Sequence, residues 1–388
     1  MNDLFCMLVT FSAATDGYQI ALLGNIIANE GFVKKFGTET NSNGETVLAS
    51  SIFSAWSSIG SVGQIVGMTT LPFLSDRFGR KAAMLWYWFL LAISVTVESV
   101  ASNWKSWLVA KLIGGISVGC LQSTIPTYIA EFFAPVALQV MSTYGPDNYL
   151  TPVNTQWTQI RLMLVIYLVI PESPAWCASK GKVTQAKKVL RILYKGVADF
   201  DHERAVAMQQ RNEKWYAIFK GVDGLRTLVS LWTLMSQTFI GLGVFFTFGS
   251  YFFQQAGIED PFKLCCYIHS LLILFACFWN IGLVANGATG WGFIGEISAQ
   301  RLRPHTAGFA AASTCAVGVM LGVLLPYMMN ANQWNWGLKT CWFFVGLGLP
   351  FTVAMWFLIP ETSGRSAAEL DELFERKVKP WRFHRERP

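Results

Sequence analysis

Pro360-Glu361-Thr362-Ser363-Gly364-Arg365 closes an apolar run near the end of the chain, and Pro171-Glu172-Ser173-Pro174 closes another near its middle. Two copies of one punctuation mark, each at the exit of a hydrophobic stretch, point to a chain built from two similar halves. The surrounding sequence is strongly apolar: 53% of the 388 residues are hydrophobic and 14% are charged. Soluble domains carry about a quarter charged residues, so lipid is the solvent that this composition fits.

A bilayer core of roughly 30 Å takes about 20 mainly apolar residues per helical crossing. Full-length candidates fall near 4–28, 47–71, 83–101, 107–130, 225–253, 264–295, 306–329 and 338–359, and a ninth, 160–171, is too short alone. So many crossings define an all-α, multi-pass membrane protein. Lys and Arg set the orientation. With the loop at residues 76–81 placed inside, inner segments hold 23 of the 30 Lys and Arg, and outer loops hold five. Both termini and the long middle loop are then cytoplasmic. The run from Leu4 has no basic flank and is too long for the core of a cleavable signal.

The eight cysteines show no metal-ligand spacing, and most lie in apolar runs. Buried, reduced thiols are expected, with no disulfide framework, metal or cofactor. In the middle loop, Val183, Ala186, Val189, Leu190 and Leu193 recur at helical spacing among lysines. A basic amphipathic helix under the membrane fits, packed on the protein or touching anionic lipid. Ser366-Ala367-Ala368-Glu369 has the spacing of a capping box and opens a short helix through Leu370, Leu373 and Phe374.

Asp76-Arg77-Phe78-Gly79-Arg80-Lys81 forms a tight inner loop between two crossings. An acid and paired arginines about a glycine turn suit a breakable charge latch, and they suit a simple positive-inside anchor equally well. Further features narrow the choice. Tyr128-Ile129-Ala130-Glu131 ends the fourth crossing and Phe293-Ile294-Gly295-Glu296 ends its counterpart, followed by Arg301-Leu302-Arg303-Pro304. Tyr251-Phe252-Phe253-Gln254-Gln255-Ala256-Gly257 closes the first crossing of the second half. From about residue 10 onward the whole set resembles the sugar porter family of the major facilitator superfamily, its fungal branch in particular.

That resemblance implies two pseudo-repeated helical bundles that rock about a central sugar site by alternating access. It implies an N-terminal bundle at 1–171, a cytoplasmic linker with the amphipathic helix at 172–224, a C-terminal bundle at 225–360 and a cytoplasmic tail at 361–388. Asp76, Arg77, Arg80, Glu131, Glu172, Glu296, Arg301, Arg303, Glu361 and Arg365 would be the charges of an inner gate. Exposed ion pairs contribute only about 0–1 kcal/mol each, which suits a gate that must open. Gln237 takes the place of the first amide of the family's sugar-binding pair, with Thr238 in place of the second, and Trp291 matches the indole beside the sugar. Proton-coupled members commonly carry Asp after Gly-Tyr, where this chain has Gln19; Asp16 lies three residues earlier, on roughly the same helix face. Glu98, near an outer helix end, receives no role.

The two punctuation marks also serve as a ruler. Glu131 to Glu172 is 41 residues, whereas Glu296 to Glu361 is 65, so the first half is short by one crossing. Residue 4 to Glu131 is 127 residues against 71 from Leu225 to Glu296, so the second half is short by two. The fold is therefore expected to be incomplete, with partial or distorted crossings between Phe132 and Pro171. A sugar transporter of hexoses or α-glucosides in the plasma membrane, as uniport or proton symport, is the leading reading. A transport-inactive shortened isoform and a membrane sugar sensor are the alternatives. No nucleophile–base set or phosphate loop argues for an enzyme, and sugar, protons and lipid are the expected partners, with no nucleic acid.

Overall fold

Among the described residues, ten helices follow one another: α1 (Glu30–Phe36), α2 (Ser50–Phe78), α3 (Arg80–Val100), α4 (Trp104–Gln122), α5 (Leu150–Val169), α6 (Pro174–Ser179), α7 (Val183–Leu193), α8 (Gly221–Phe239), α9 (Arg303–Met329) and α10 (Thr340–Leu358). The computed structural model describes residues 18, 19, 22, 26, 29–40, 46–122, 150–169, 171–193, 215–239, 297, 302–329, 333, 334, 336, 339–360, 370, 373, 374, 376, 378 and 383. Tyr18, Gln19, Leu22 and Ile26 are helical and mark an N-terminal segment. A two-residue antiparallel ladder, Glu39–Thr40 against Thr46–Val47, is the one β contact among the described residues.

Small residues decide how these helices meet. A Cβ on Gly63 of α2 would stand 2.5 Å from the Leu112 carbonyl oxygen of α4, so the two backbones touch. In lipid there is no hydrophobic drive between helices, and close backbone approach through small residues supplies the attraction instead. On its other side α2 faces α9, where Gly318 and Gly322 lie against Ser61 and Ser57. Ser54 Oγ donates to the Val323 carbonyl at 3.3 Å, and the Cys315 thiol lies 3.2 Å from Gln64 Oε1. This α2–α9 seam joins the two sequence halves.

Around α3, Ala83, Tyr87, Leu91 and Val95 pack against Ile160, Met163, Ile166 and Tyr167 of α5, and Trp88 Nε1 donates to the Ile160 carbonyl at 2.8 Å. At the end of α2 remote from the Asp76–Lys81 turn, Phe32 and Phe36 of α1 close over Trp56 and Trp107 with ring centroids 5.1–6.1 Å apart. In the second half, Phe351 of α10 stacks on Trp232 and Phe239 of α8. The other face of α10 turns Trp342 and Trp356 outward, 76% and 82% exposed, as lipid-facing side chains.

Two expectations change. The 160–171 run is not a short fragment: α5 is a regular 20-residue helix, about 30 Å long. It starts ten residues earlier because Pro152, Val153 and Gln156 are buried against neighbours, whereas a hydropathy window counts Thr, Asn and Gln as breaks. Its Arg161 is exposed. The second change concerns α2, α4 and α8. By length and composition alone, only Arg80–Val100 and His305–Met328 among the described helices are apolar enough to cross a membrane, with Trp342–Leu358 a shorter apolar helix. In α2 and α4 glycines and serines face other helices, and in α8 the Ser and Thr hydroxyls bond back to carbonyls of their own helix.

The amphipathic helix of the middle loop forms as α7 and packs on α6, through Ala186 and Val183 against Cys177, Ala178 and Trp176. Leu370, Leu373 and Phe374 are helical and buried, with Phe383, against Val229 and Ile297. Cys120, Cys177 and Cys315 are buried thiols, not joined in disulfides among the described residues. Residues 264–295 lie outside the described residues.

Candidate functional site

Helix α3 starts where the chain turns at Gly79, whose φ of 107° and ψ of 159° are essentially open to glycine alone. The first amides of a helix lack intrahelical partners. Here Glu172 supplies them: its carboxylate accepts from Arg80 N at 2.9 Å and from Lys81 N at 3.2 Å, and also from Ser173 N at 2.8 Å. An anion at this position also meets the positive end of the helix dipole. Lys81 returns the favour by donating its Nζ to the Leu168 carbonyl at 2.9 Å, one of the orphan acceptors at the end of α5. The two motifs Asp76–Lys81 and Pro171–Pro174 are thus two sides of one brace. Gly79 matters twice, because a Cβ there would also stand 3.0 Å from the Glu172 carboxyl carbon.

This geometry refines the latch expected from sequence. Glu172 reaches main-chain amides within its own half. Arg80 Nη1 donates to the Ser75 carbonyl at 3.4 Å, and Arg77 is exposed, its guanidinium 5.5 Å over the Phe78 ring. Asp76 lies in the last turn of α2, and Arg303 opens α9. Asp16, Glu131, Trp291, Glu296, Arg301, Glu361 and Arg365 lie outside the described residues.

Cys177 sits just beyond the brace. Burial pushes its thiol up, the Glu172 carboxylate adds to that, and Lys182 opposes it. A raised thiol holds less thiolate at neutral pH, and thiolate is the nucleophile. Iodoacetamide should therefore label Cys177 slowly at neutral pH and faster as pH rises. Glu172→Gln, which removes one of the two raising causes, should speed labelling at neutral pH; peptide mass mapping reads the outcome, and an unchanged rate would separate Cys177 from the brace.

Within the second half, Gln237 is buried on α8. The hydroxyls on the same buried face turn back on their own helix: Ser230 to Arg226 O, Thr233 to Val229 O and Ser236 to Thr233 O, at 2.7–2.9 Å. Gln237 is the one side-chain amide on that face.

A second polar group occupies the first half; of its members the sequence expectations gave a role to Gln19 alone, at the proton-coupling position. Lys111 Nζ on α4 lies 2.9 Å from Glu98 Oε1 on α3, with side chains 5% and 0% exposed. Gln156 of α5 donates its Nε2 to Glu98 Oε2 at 3.2 Å, and Gln19 of the N-terminal segment donates its Nε2 to Gln156 Oε1. Beside them Tyr18 O–H donates to the Pro152 carbonyl at 2.8 Å, and Ser94 O–H to the Ala110 carbonyl at 2.8 Å. The sequence signal was present: two opposite charges stand in neighbouring apolar runs, and each has to find a partner away from water.

A protein-family model described as "Sugar (and other) transporter" matches the chain at residues 5–141, 132–284 and 266–374. The chain belongs to this sugar transporter family. Its junctions at 132–141 and 266–284 fall in the stretches from which the residue spacing removes crossings. Among curated relatives, this family member is 25% identical over 477 positions to the general alpha-glucoside permease of Saccharomyces cerevisiae, covering 98% of this chain and 76% of the permease. It is 25% identical over 457 positions to the MFS transporter fmqE of Aspergillus fumigatus, covering 96% and 85%. Both alignments are longer than the 388-residue chain, so gaps open within it. Among solved structures it resembles the proton:xylose symporter XylE bound to 6-bromo-6-deoxy-D-glucose, with TM-score 0.71, 18% identity, and 96% and 100% of the two chains covered. The inward-open form of XylE from E. coli matches at TM-score 0.65 and 17% identity, with 96% and 100% covered. The fold is that of the major facilitator superfamily. The relatives and neighbours are membrane transporters and not enzymes, and this family member is a multi-pass membrane protein.

Proposed function

We propose that the chain carries a sugar, a hexose or an α-glucoside, across the plasma membrane by alternating access. The observation that supports this most is the family match from residue 5 to residue 374, which takes in both halves. The curated relatives include permeases for α-glucosides and maltose and transporters for glucose. In this reading Gln237 and Trp291 contact the sugar. The inner gate uses Asp76, Arg77, Arg80, Glu131, Glu296, Arg301, Arg303, Glu361 and Arg365, with Glu172 holding the start of α3 so that the gate charges keep their places. Both termini lie on the cytoplasmic side, and Asp16 and Gln19 are the positions at which proton coupling would act.

A specific observation favours a second reading, that the shortened chain has lost transport. The alignments to longer permeases open gaps inside this chain, and the family match is broken at two places. One experiment separates the two. The chain is expressed in cells lacking their own sugar carriers, and uptake of radiolabelled glucose and maltose is measured. Saturable uptake of either sugar is the expected result. Absence of uptake, with recovery when the missing crossings are restored from a relative, would establish the inactive reading instead.

A further inference from the structure

Trp334 and Trp336 stand apart from the other exposed indoles among the described residues. Trp86, Trp342 and Trp356 lie on α3 and α10 among exposed Phe, Val and Leu side chains, as lipid-facing residues do. Trp334 and Trp336 belong instead to the connection between α9 and α10, 50% and 40% exposed, with ring centroids 5.7 Å apart and planes tilted by 48°. That connection lies at the end of α9 remote from Arg303, which is the outer side when both termini are cytoplasmic.

The backbone beneath the pair is anchored. The last carbonyls of a helix have no partner within it, and this turn meets two of those of α9. Trp334 N donates to the Tyr327 carbonyl at 3.2 Å, and Trp336 N donates to the Met328 carbonyl at 2.9 Å. Lys339 N then donates to the Trp336 carbonyl at 2.8 Å, at the entry to α10. Two large rings are thus presented on fixed main chain, and little freedom remains to be lost when a ligand lies on them.

The sequence around them has one chemistry. Asn330-Ala331-Asn332-Gln333-Trp334-Asn335-Trp336 holds four side-chain amides and two indoles, with no charge. Gln333, next to Trp334 in the turn, is exposed. Charged lipid headgroups draw Lys and Arg, and this stretch has neither. An amide both donates and accepts hydrogen bonds, as a sugar hydroxyl does. An indole offers an apolar face to the C–H groups of a pyranose ring, together with one N–H donor. Uncharged amides interleaved with aromatic faces fit a neutral glycoside, and two tilted faces side by side give a place to each of two linked rings.

We infer that the turn carrying Gln333, Trp334 and Trp336 is an accessory binding site for a neutral glycoside of two or more pyranose rings, separate from the contacts proposed at Gln237 and Trp291. Its ligand class rests on the sugar-transport reading. The platform holds the sugar at the surface, before any crossing, so its test measures binding and not uptake.

The purified full chain, labelled with fluorotryptophan, is placed in phosphatidylcholine nanodiscs, and Trp334→Phe and Trp336→Phe assign the two fluorine resonances. Maltose should shift both in a saturable manner. Glucose should need a several-fold higher concentration for the same shift, and the acyclic polyol mannitol should leave both in place. Trp334→Ala should raise several-fold the maltose concentration that half-saturates the Trp336 signal, and Gln333→Ala should raise it for both. All three side chains are exposed, so these variants keep the fold, which an unchanged unfolding temperature checks. Gln237→Leu/Trp291→Ala, which removes the proposed central contacts, should leave the outer shifts as they are. Absence of uptake by the parent chain together with these shifts would remove the transport reading and support the platform. Resonances that maltose leaves unmoved would overturn the inference, and broadening by a nitroxide-bearing lipid would then identify the pair as a membrane-interface anchor. Shifts that vanish in the Gln237→Leu/Trp291→Ala variant would overturn it too, as an echo of the central site.

Discussion

Lys111→Met alone is expected to destabilise the folded protein by about 3–5 kcal/mol, the range seen when one member of a buried ion pair is removed and the other is left uncompensated. The Glu98 side chain is fully buried, and its other contact across helices is a Gln156 amide at 3.2 Å. A neutral donor does not replace an ammonium ion 2.9 Å away. The effect should also exceed that of losing the aliphatic contacts of Lys111, because Met keeps most of them, including the approach to the Trp107 ring now made by the ammonium group at 5.1 Å. Reversible unfolding in mixed micelles measures the difference. A loss below about 1 kcal/mol, the level of exposed pairs, would mean that Glu98 finds water or another partner when Lys111 is gone.

Gly79→Ala is expected to cost about 2–4 kcal/mol, from two separable causes. The first is backbone: a side chain at φ 107° and ψ 159° is strained by about 1–3 kcal/mol. The second is displacement of Glu172, since a Cβ would press on its carboxyl group and push it from the amides of Arg80 and Lys81. Loss of a side-chain cap costs about 0.5–2 kcal/mol. Glu172→Ala isolates the second cause, and the double variant should fall short of the sum because the cap can be lost only once. Strict additivity in the same unfolding assay would show that the two motifs do not act through a shared brace.

Several of these features were legible before the structure, and others were not, for identifiable reasons. The turn at Gly79 followed from the glycine between two apolar runs, but the crossing was expected only from residue 83, whereas α3 already starts at Arg80 because Glu172 caps its first amides. The role of Glu172 was half legible. Its acidity and its position after Pro171 pointed to a charge contact, but a carboxylate that caps a helix 92 residues away looks, in sequence, the same as one that pairs with a guanidinium. The beginning of α5 was hidden because Thr151, Asn154, Thr155 and Gln156 read as loop. Inside the helix they are satisfied by helix-internal or interhelical bonds, such as Thr155 to Thr151 O at 2.8 Å, Ser99 to Asn154 Oδ1 at 3.1 Å and Gln156 to Glu98 at 3.2 Å. Glu98 was passed over for the same reason in reverse: near a helix end it reads as interfacial, and only the position of Lys111 on the adjacent helix makes it central. Hydropathy records where a residue would stand in lipid alone. Polar residues that exist to face one another are invisible to it until their neighbours are known.

The brace between α3 and α5 bears on how the chain is made. Arg80 enters the membrane early in synthesis, while Glu172 lies 92 residues behind it. At roughly 5–20 residues per second, the first turn of α3 waits on the order of 5–20 seconds for its cap, with Gly79 already committed to the turn. Over that interval its amides depend on water and lipid headgroups at the membrane surface. Completion of the first half is therefore timed by the emergence of Pro171-Glu172-Ser173-Pro174 from the ribosome. A message that ended short of this segment would release helices inserted in the bilayer without the residue that fastens them, a product for membrane quality control to remove.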